Sequence, residues 1–179
     1  YTMTLNNQQN IFTSKANVLK FLQEQVKNSK IEKLYAFEIH DWKTNKNEII
    51  KEINQYFVNS KNVIVRSSAI GEDSLESSKA GSFESILDVN PKSDKLLTNA
   101  INLVLNSYEE KNNYNQKNQI LIQNQSTKIV QSGVIFTRLR DGSPYYIINF
   151  EEGSSTVGVT QGKVNNLVKI FRKTNFEKI

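Results

Sequence analysis

Residues 63–89 read VIVRSSAIGEDSLESSKAGSFESILDV, and this stretch decides the fold that the sequence predicts. The apolar run Val63–Val65 is typical of a buried strand, and Arg66-Ser67-Ser68 would place a guanidinium and two hydroxyls at its end. A loop rich in Gly, Ser and Glu follows from Ala69 to Ser82, and Phe83–Val89 resumes as a strand. The stretch therefore predicts two strands joined by a polar loop.

This arrangement suits the binding of phosphate. The planar fork of Arg66 can donate two parallel hydrogen bonds and keeps its charge at any physiological pH. Gly81 and Ser82 could bring bare backbone N–H groups against phosphate oxygens, because glycine has no side chain to block the approach. The alternative is a surface loop in which Arg66 pairs with Glu72 or Asp73, and composition alone leaves both interpretations open.

Upstream of this stretch, the sequence predicts a helix, a strand and a second helix. Thr13-Ser14 is typical of a helix cap, because apolar residues follow it at helical spacing as far as Val26. Residues Tyr35–Ile39 alternate as a strand does, and Ile49–Phe57 returns to helical spacing.

Downstream, the pattern changes from a helix to β structure. Leu96–Tyr108 is the clearest amphipathic helix, and the polar stretch Lys111–Asn118 has no periodicity. The sequence then predicts strand cores at Ile120–Ile122, Val134–Phe136 and Tyr145–Ile148, with two further short strands at Thr156–Thr160 and Leu167–Phe171. We therefore predict an α+β fold with two lobes, an α/β first lobe (1–117) and a largely antiparallel second lobe (118–179).

Composition narrows the class of protein. The net charge of +5 invites a nucleic-acid partner, but the lysines are scattered and aromatic residues are not interleaved with them, so no nucleic acid is predicted. There is no cysteine, and the single histidine, His40, excludes a multi-histidine metal site. No apolar run approaches the length of a membrane-spanning helix and no signal peptide is recognisable, so we expect no membrane partner and a cytoplasmic location.

Three segments resemble one enzyme family. Residues 63–89 resemble the signature of the nucleotide-binding domain in the phosphoenolpyruvate synthase and pyruvate phosphate dikinase family: a strand, Arg-Ser-Ser-Ala, Glu-Asp, Ala-Gly, and a second strand. Ser132–Thr137 resembles the second signature of that family, Ser-Gly-Val-x-Phe-Thr, and Ser14–Asn17 is similar to its N-terminal Gly-Lys-Gly-Ala-Asn element. Three matches in the family's order are more specific than any one of them.

The resemblance implies an ATP-grasp fold, in which two lobes hold ATP with Mg²⁺ in a cleft between them. On the phosphate side, it implies that Lys15 contacts phosphate and that Arg66 is the catalytic residue that stabilises the terminal phosphates. Gly81, Ser82 and Ser85 would line the phosphate loop. A solvated surface position is the alternative for Lys15, although a cation in the first turn of a helix is disfavoured unless an anion lies nearby.

On the adenine side, the resemblance implies a hinge formed by Gln123 with the backbone of Asn124 and Gln125. It also implies that Thr137 ends a strand facing the cleft. The alternative for Gln123 is an outward-facing residue that merely interrupts an apolar strand.

The sequence also departs from the family pattern. Ser14 stands where the family has Gly, and Phe83-Glu84 replaces a polar pair. The acidic metal ligand and the Gln-x-Arg-Pro element of the family have no counterpart before Ile179, and no phosphohistidine motif surrounds His40. We therefore expect a fragment that covers most of the nucleotide domain, holds no metal ligands of its own and could form a homodimer through exposed apolar surface.

The resemblance implies a kinase or dikinase. The whole enzyme would move a phosphoryl or pyrophosphoryl group from ATP to a histidine on another domain, and then to a small acceptor bound outside this chain, releasing AMP and phosphate. Residues 145–162 are most similar to relatives linked to capsular polysaccharide biosynthesis, so the amide of glutamine is the acceptor we prefer. The alternatives are a phosphoenolpyruvate synthase that acts on pyruvate, and a nucleotide-binding module without catalytic activity.

Overall fold

The described residues form two separate sheets. The computed structural model describes residues 14–70, 84–111, 114–137, 142–153, 157–160 and 166–172. The chain divides into two units, Tyr1–Gln125 and Ser126–Ile179, and each unit contains one of the sheets.

In its described part, the first unit combines three helices with a four-stranded antiparallel sheet in the order β1-β4-β2-β3. Its elements in chain order are α1 (Lys15–Gln25), β1 (Leu34–Glu38), α2 (Ile39–Tyr56), β2 (Val63–Ser68), β3 (Ser85–Val89), α3 (Asp94–Glu110) and β4 (Gln119–Asn124).

The main core lies between one face of this sheet and helices α2 and α3. The strands contribute Phe37, Val63, Val65, Ile120 and Ile122 to it, all of them buried. Removing these side chains and the facing helix stripes from water is the main stabilising term, since burial of a large apolar side chain contributes about 1.5–3 kcal/mol.

Trp42, the only tryptophan in the sequence, belongs to this core. It lies near the start of α2 with only 5% of its surface exposed, and its ring stacks on that of Phe37 with the centroids 5.7 Å apart. Helix α2 is kinked three residues later, at Asn45, which has φ −129° and ψ 33°.

Helix α1 covers part of the other face of the sheet. Ala16, Leu34 and Leu121 form a second, smaller cluster there, and Leu19 and Ala36 pack against it. The sequence explains the start of α1, because the Ser14 side chain accepts a hydrogen bond from the Asn17 N–H.

The second unit contains a three-stranded antiparallel sheet in the order β5-β6-β7. Its elements are β5 (Gln131–Phe136), β6 (Tyr145–Glu152), the short helix α4 (Val157–Thr160) and β7 (Leu167–Phe171). Among the described residues of this unit only Val159 is buried, and every residue of β7 is exposed.

Two residues of β5 explain how it pairs with β6. Gly133 lies opposite Phe150, and a Cβ added at Gly133 would meet the backbone oxygen of Asn149 at 2.4 Å. The Ser132 hydroxyl donates a hydrogen bond to the Gly153 carbonyl over 2.5 Å. The strands therefore approach so closely that only glycine fits at position 133.

The predicted α+β class is confirmed, and so are the predicted helices and most of the strands. The strand expected at Thr156–Thr160 is wrong, because residues Val157–Thr160 form one turn of helix. Residues Arg66-Ser67-Ser68 lie within β2 and not beyond its end, since they continue to pair with β4. No helix among the described segments is long and apolar enough to cross a bilayer.

The position of β4 differs from the lobe boundary that the sequence suggested. We placed residues 118–179 in the second lobe, whereas β4 pairs with both β1 and β2 inside the first sheet. The change to β structure after residue 118 is real, but a change of element type does not show which sheet a strand joins.

Candidate functional site

Arg66 lies in the middle of β2, on the face of the sheet that α1 partly covers. It is directly opposite Ser85 of β3 on one side and Leu121 of β4 on the other. Since side chains alternate along a strand, Ser68 lies on this face as well. We call this surface the Arg66 face.

The Arg66 face is exposed at Ser85 and partly exposed at Arg66, whereas Ser68 is buried. Leu121 is fully buried beneath α1. Directly opposite residues of antiparallel strands have Cβ atoms about 4.5–5.5 Å apart, so the guanidinium stem and the Ser85 hydroxyl start from neighbouring points. The face therefore presents a cation and a hydroxyl side by side.

Helix α1 brings Lys15 to the end of this face. The Ala16 N–H donates a hydrogen bond to the Ser68 Oγ over 2.9 Å, and the Ser14 Oγ donates one to the Gln119 Oε1 over 2.6 Å. Ser68 and Gln119 are themselves opposite each other at the end of β2 and the start of β4. Lys15 is thus held between two residues that are fixed to the sheet.

The first turn of α1 carries no acidic side chain, and a cation at this helix end is disfavoured by the helix dipole unless an anion lies nearby. The amides of this turn are already used: those of Ala16, Asn17 and Val18 donate to Ser68 Oγ, Ser14 Oγ and the Ser14 carbonyl, respectively. A phosphate at this helix end would therefore be bound by the Lys15 ammonium and not by those three amides.

Gln123, two residues along β4 from Leu121, also lies on the Arg66 face, opposite Ile64. The neighbouring Asn124 donates its backbone N–H to the Lys33 carbonyl over 2.8 Å. Its side-chain amide donates to a carboxylate oxygen of Glu32 over 2.9 Å.

Gln125 is tied to the opposite edge of the same sheet. Its backbone N–H donates to the Asn62 carbonyl over 3.1 Å. Its side chain accepts from the Asp88 N–H over 2.8 Å and donates to the Asp88 carboxylate over 2.9 Å. These bonds stabilise Asp88 at its positive φ of 57°. An adenine hinge formed here would therefore have to use other atoms than the amides of Asn124 and Gln125.

The donors on the Arg66 face suit an anion better than a metal. A guanidinium, an ammonium and a hydroxyl all donate hydrogen bonds to phosphate oxygens, whereas a guanidinium and an ammonium repel a divalent cation, which is bound by electron-pair donors such as carboxylates. Among the described residues, no group of three or more His, Asp or Glu side chains could hold a metal ion.

Two open grooves lie elsewhere on the first unit. One, of about 430 Å³, runs between α2 and α3 and includes Lys46 and Lys95. The other, of about 390 Å³, lies between β1 and α2 and is lined by Tyr35 and the acidic side chains Asp41, Glu48 and Glu52. Neither groove includes a residue that the sequence predicted for the site. The Arg66 face is a candidate because of its hydrogen-bond donors.

Comparison with known protein families shows the family to which the chain belongs. Residues 40–166 match the family described as pyruvate phosphate dikinase, AMP/ATP-binding domain. The chain belongs to this family. A comparison with curated proteins gave no match.

The membership in the pyruvate phosphate dikinase AMP/ATP-binding family confirms the resemblance inferred from the three sequence segments. It makes the chain an AMP/ATP-binding module of a kinase or dikinase family, and its helices with two antiparallel sheets agree with the expected ATP-grasp-like class. The matched range contains Arg66 and Ser85 but begins after Lys15.

Gly81, Ser82 and Thr137, which the sequence predicts for the AMP/ATP-binding site, are not among the described residues of the Arg66 face. Gly81 and Ser82 lie outside the described residues, as do Glu72 and Asp73, the alternative partners of Arg66. Thr137 lies in the second unit, exposed, directly after β5. Its carbonyl accepts a hydrogen bond from the Arg172 guanidinium over 3.3 Å.

The residues that hold the end of β2 were not predicted from the sequence. The Tyr108 hydroxyl accepts from the Ser68 N–H over 2.7 Å and donates to the Gln119 carbonyl over 2.8 Å. The Asn118 Oδ1 accepts from the Ile70 N–H over 3.0 Å, just before the loop of the phosphate motif. The role of the Tyr108 hydroxyl could not be predicted from the sequence, because any large apolar side chain would suit this position of α3.

Proposed function

We propose that the Arg66 face binds the phosphates of ATP. The observation that carries this proposal is that Arg66 and Ser85 are cross-strand neighbours on a face to whose end α1 brings Lys15. Family membership supports the choice of an adenine nucleotide as the ligand.

Each of the three side chains has a distinct task in this proposal. Arg66 would grip two oxygens of a terminal phosphate with its planar fork, and Lys15 would contribute a compact charge. Ser85 would donate one hydrogen bond from its hydroxyl. Catalysis of phosphoryl transfer rests mainly on positioning and on neutralising charge, which are the tasks these donors can perform.

Magnesium would enter with the nucleotide. Mg²⁺ in such sites is usually held by substrate phosphates together with one or two carboxylates and several waters. The described residues of this chain would neutralise the remaining phosphate charge.

We also propose that the module belongs to an enzyme that transfers phosphate from ATP to a histidine on another domain and then to a small acceptor. Attack by the histidine nitrogen on the β-phosphorus would break the bond to the α-phosphate oxygen and release AMP. Water would then take the γ-phosphate as inorganic phosphate, and the remaining phosphoryl group would pass to the acceptor. The balance is ATP, acceptor and water giving AMP, phosphate and phosphorylated acceptor.

The acceptor we propose is the amide of glutamine, with pyruvate as the alternative. Support comes from the sequence of residues 145–162, which resembles the relatives linked to surface polysaccharides. In the protein that contains this chain, ³¹P NMR after addition of Mg-ATP with glutamine or pyruvate should show AMP, phosphate and a phosphorylated product with glutamine only. A product with pyruvate alone would select the alternative, and no product with either would favour a nucleotide-binding module without catalytic activity.

The ATP site is tested by calorimetric titration of the chain with Mg-ATP, Mg-ADP and Mg-GTP. We expect Arg66→Ala to weaken ATP binding about ten- to a hundredfold, because charge-assisted hydrogen bonds to phosphate are lost. Arg66→Lys keeps the charge but loses the fork, so its loss should be intermediate.

Lys51→Ala is the matched control. It removes one positive charge from an exposed position of α2, the helix that packs on the opposite face of the sheet. Its effect on affinity should stay within about twofold, because an exposed charge at that distance is screened by salt. Equal affinity of wild type and Arg66→Ala would refute the proposed site.

A further inference from the structure

The hydroxyl of Tyr108 is a junction between α3 and the end of the sheet. The residue is fully buried, and its hydroxyl lies between the Ser68 N–H and the Gln119 carbonyl, bonded to both. Ser68 and Gln119 are opposite each other in the β2–β4 register. One side-chain oxygen therefore fixes two strands at the point where their pairing ends.

The same two residues carry the contacts that hold α1. The Ser68 Oγ accepts from the Ala16 N–H, and the Gln119 Oε1 accepts from the Ser14 hydroxyl. Ser14 and Ala16 are the residues on either side of Lys15. Hydrogen bonds thus connect Tyr108, through Ser68 and Gln119, to both neighbours of Lys15.

Ser68 also links these hydrogen bonds to Arg66, because it is two residues from Arg66 on the same strand and the same face. We propose that Tyr108 is a positioning residue of the nucleotide site, which fixes the place of Lys15 relative to Arg66 without touching the nucleotide. This inference rests on the proposed function, since it assigns Lys15 and Arg66 to one phosphate group.

The chemistry of the side chain explains why a tyrosine would be needed. Phenylalanine would fill the same space in the core, but it would leave the Ser68 N–H and the Gln119 carbonyl without this partner. Ser68 is fully buried, so water could not simply replace the lost hydroxyl. The strand end and the α1 residues attached to it would then move apart.

The test compares Tyr108→Phe with Ser107→Ala in the 179-residue chain. Ser107 is the adjacent residue, it is also buried, and its hydroxyl bonds only within α3, to the Val104 carbonyl over 2.7 Å. By calorimetry we expect Tyr108→Phe to weaken Mg-ATP binding about tenfold while leaving the affinity for adenosine unchanged. Ser107→Ala should change neither affinity.

A double-mutant cycle separates positioning from general destabilisation. If Tyr108 acts through Lys15, then Tyr108→Phe should weaken Mg-ATP binding about tenfold in the wild-type background. In a Lys15→Ala background it should leave the affinity for Mg-ATP almost unchanged. The same loss in both backgrounds would overturn the inference. Equal ATP binding by Tyr108→Phe and wild type would overturn it as well.

Amide hydrogen exchange gives a readout that does not need nucleotide. In Tyr108→Phe, the amides of Ser68 and Ala16 should exchange faster than in wild type, and in Ser107→Ala they should not. Unchanged exchange at Ala16 would show that Tyr108 does not stabilise the contact of α1 with the sheet, and it would contradict the inference whatever the binding data show. Failure of the proposed function is a different result, namely ATP affinity that Arg66→Ala does not reduce.

Discussion

At the scale of single residues, the face of the sheet to which a side chain points decides which residues lie close together, and the distance between them in sequence matters less. Arg66 lies within a strand, so the pleat of the sheet fixes the face to which its side chain points. Its cross-strand partner Ser85 is on the far side of the loop in sequence but adjacent in space. Pairing between β2 and β3 is thus what brings together the two side chains that we propose bind phosphate.

Tyr35 shows how burial changes the chemistry of a single group. Burial raises the pKa of the Tyr35 hydroxyl above its usual range, and the hydrogen bond to Glu52 raises the pKa further. The negative charges of Glu52 and Asp41 act in the same direction. The folded protein therefore holds this proton more tightly than the unfolded chain does.

This shift predicts a loss of stability at alkaline pH. Below the unfolded pKa of 10.0 the hydroxyl is protonated in both states, so its contribution is fully present. As the pH rises above that value, the unfolded chain loses the proton first, and the free energy of unfolding falls. Tyr35→Phe should make this fall less steep between about pH 9.5 and 11.5, measured by urea unfolding followed by circular dichroism.

Tyr56→Phe is the control for this measurement. Tyr56 packs against Tyr35, with ring centroids 6.1 Å apart, but it is exposed. Its replacement keeps the hydrogen bond between Tyr35 and Glu52, so the loss of stability that Tyr35 causes at alkaline pH should persist. Identical slopes for wild type and Tyr35→Phe would contradict the assignment.

At the scale of elements, the two main signatures of the family serve different purposes. Arg66 and Ser85 of the first signature lie opposite each other on a sheet face, whereas Ser132 and Gly133 of the second allow β5 to pair closely with β6. The Ser-Gly pair of the second signature therefore has a structural explanation within the second unit. A motif can identify a family without all of its residues touching the ligand.

Gly133→Ala should disrupt the second sheet. The added methyl group would meet the Asn149 oxygen at 2.4 Å, and that oxygen belongs to the backbone, so β5 and β6 must separate. We expect a loss of about 1–3 kcal/mol or more, as for other overpacked sites. Hydrogen exchange at the amides of β5 and β6, read by mass spectrometry, should become faster.

Gly142→Ala is the matched comparison, because nothing lies within 4 Å of a Cβ added there. Its φ of 76° still makes alanine unfavourable, so we expect a smaller loss of about 1 kcal/mol. If exchange in β5 and β6 were as slow in Gly133→Ala as in Gly142→Ala, the close approach of the two strands would be refuted.

At the scale of the whole molecule, periodicity predicted the elements well and their assembly less well. The helix at Leu96–Tyr108 was recognisable because one apolar stripe faces the core, and the structure extends it to Asp94–Glu110. The turn of helix at Val157–Thr160 was predicted as a strand, because two valines and a threonine favour β structure in the absence of other information.

The candidate site was predictable only in part. Arg66 and Ser85 belong to a recognisable motif, so their selection needed no structure. The hydrogen bonds of Tyr108, Asn118 and Gln119 join segments that are distant in sequence, and no local pattern signals them. The sheet to which β4 belongs is likewise a tertiary property, because strand pairing is decided by the whole core.

The location of Trp42 gives the protein a built-in optical probe. The indole is the only one in the chain, it is buried in the main core of the first unit, and it stacks on Phe37. Fluorescence excited at wavelengths that tyrosine does not absorb therefore comes from the first unit alone. The fluorescence of this indole therefore reports the unfolding of that core without any added dye, and the second unit contributes no signal at these wavelengths.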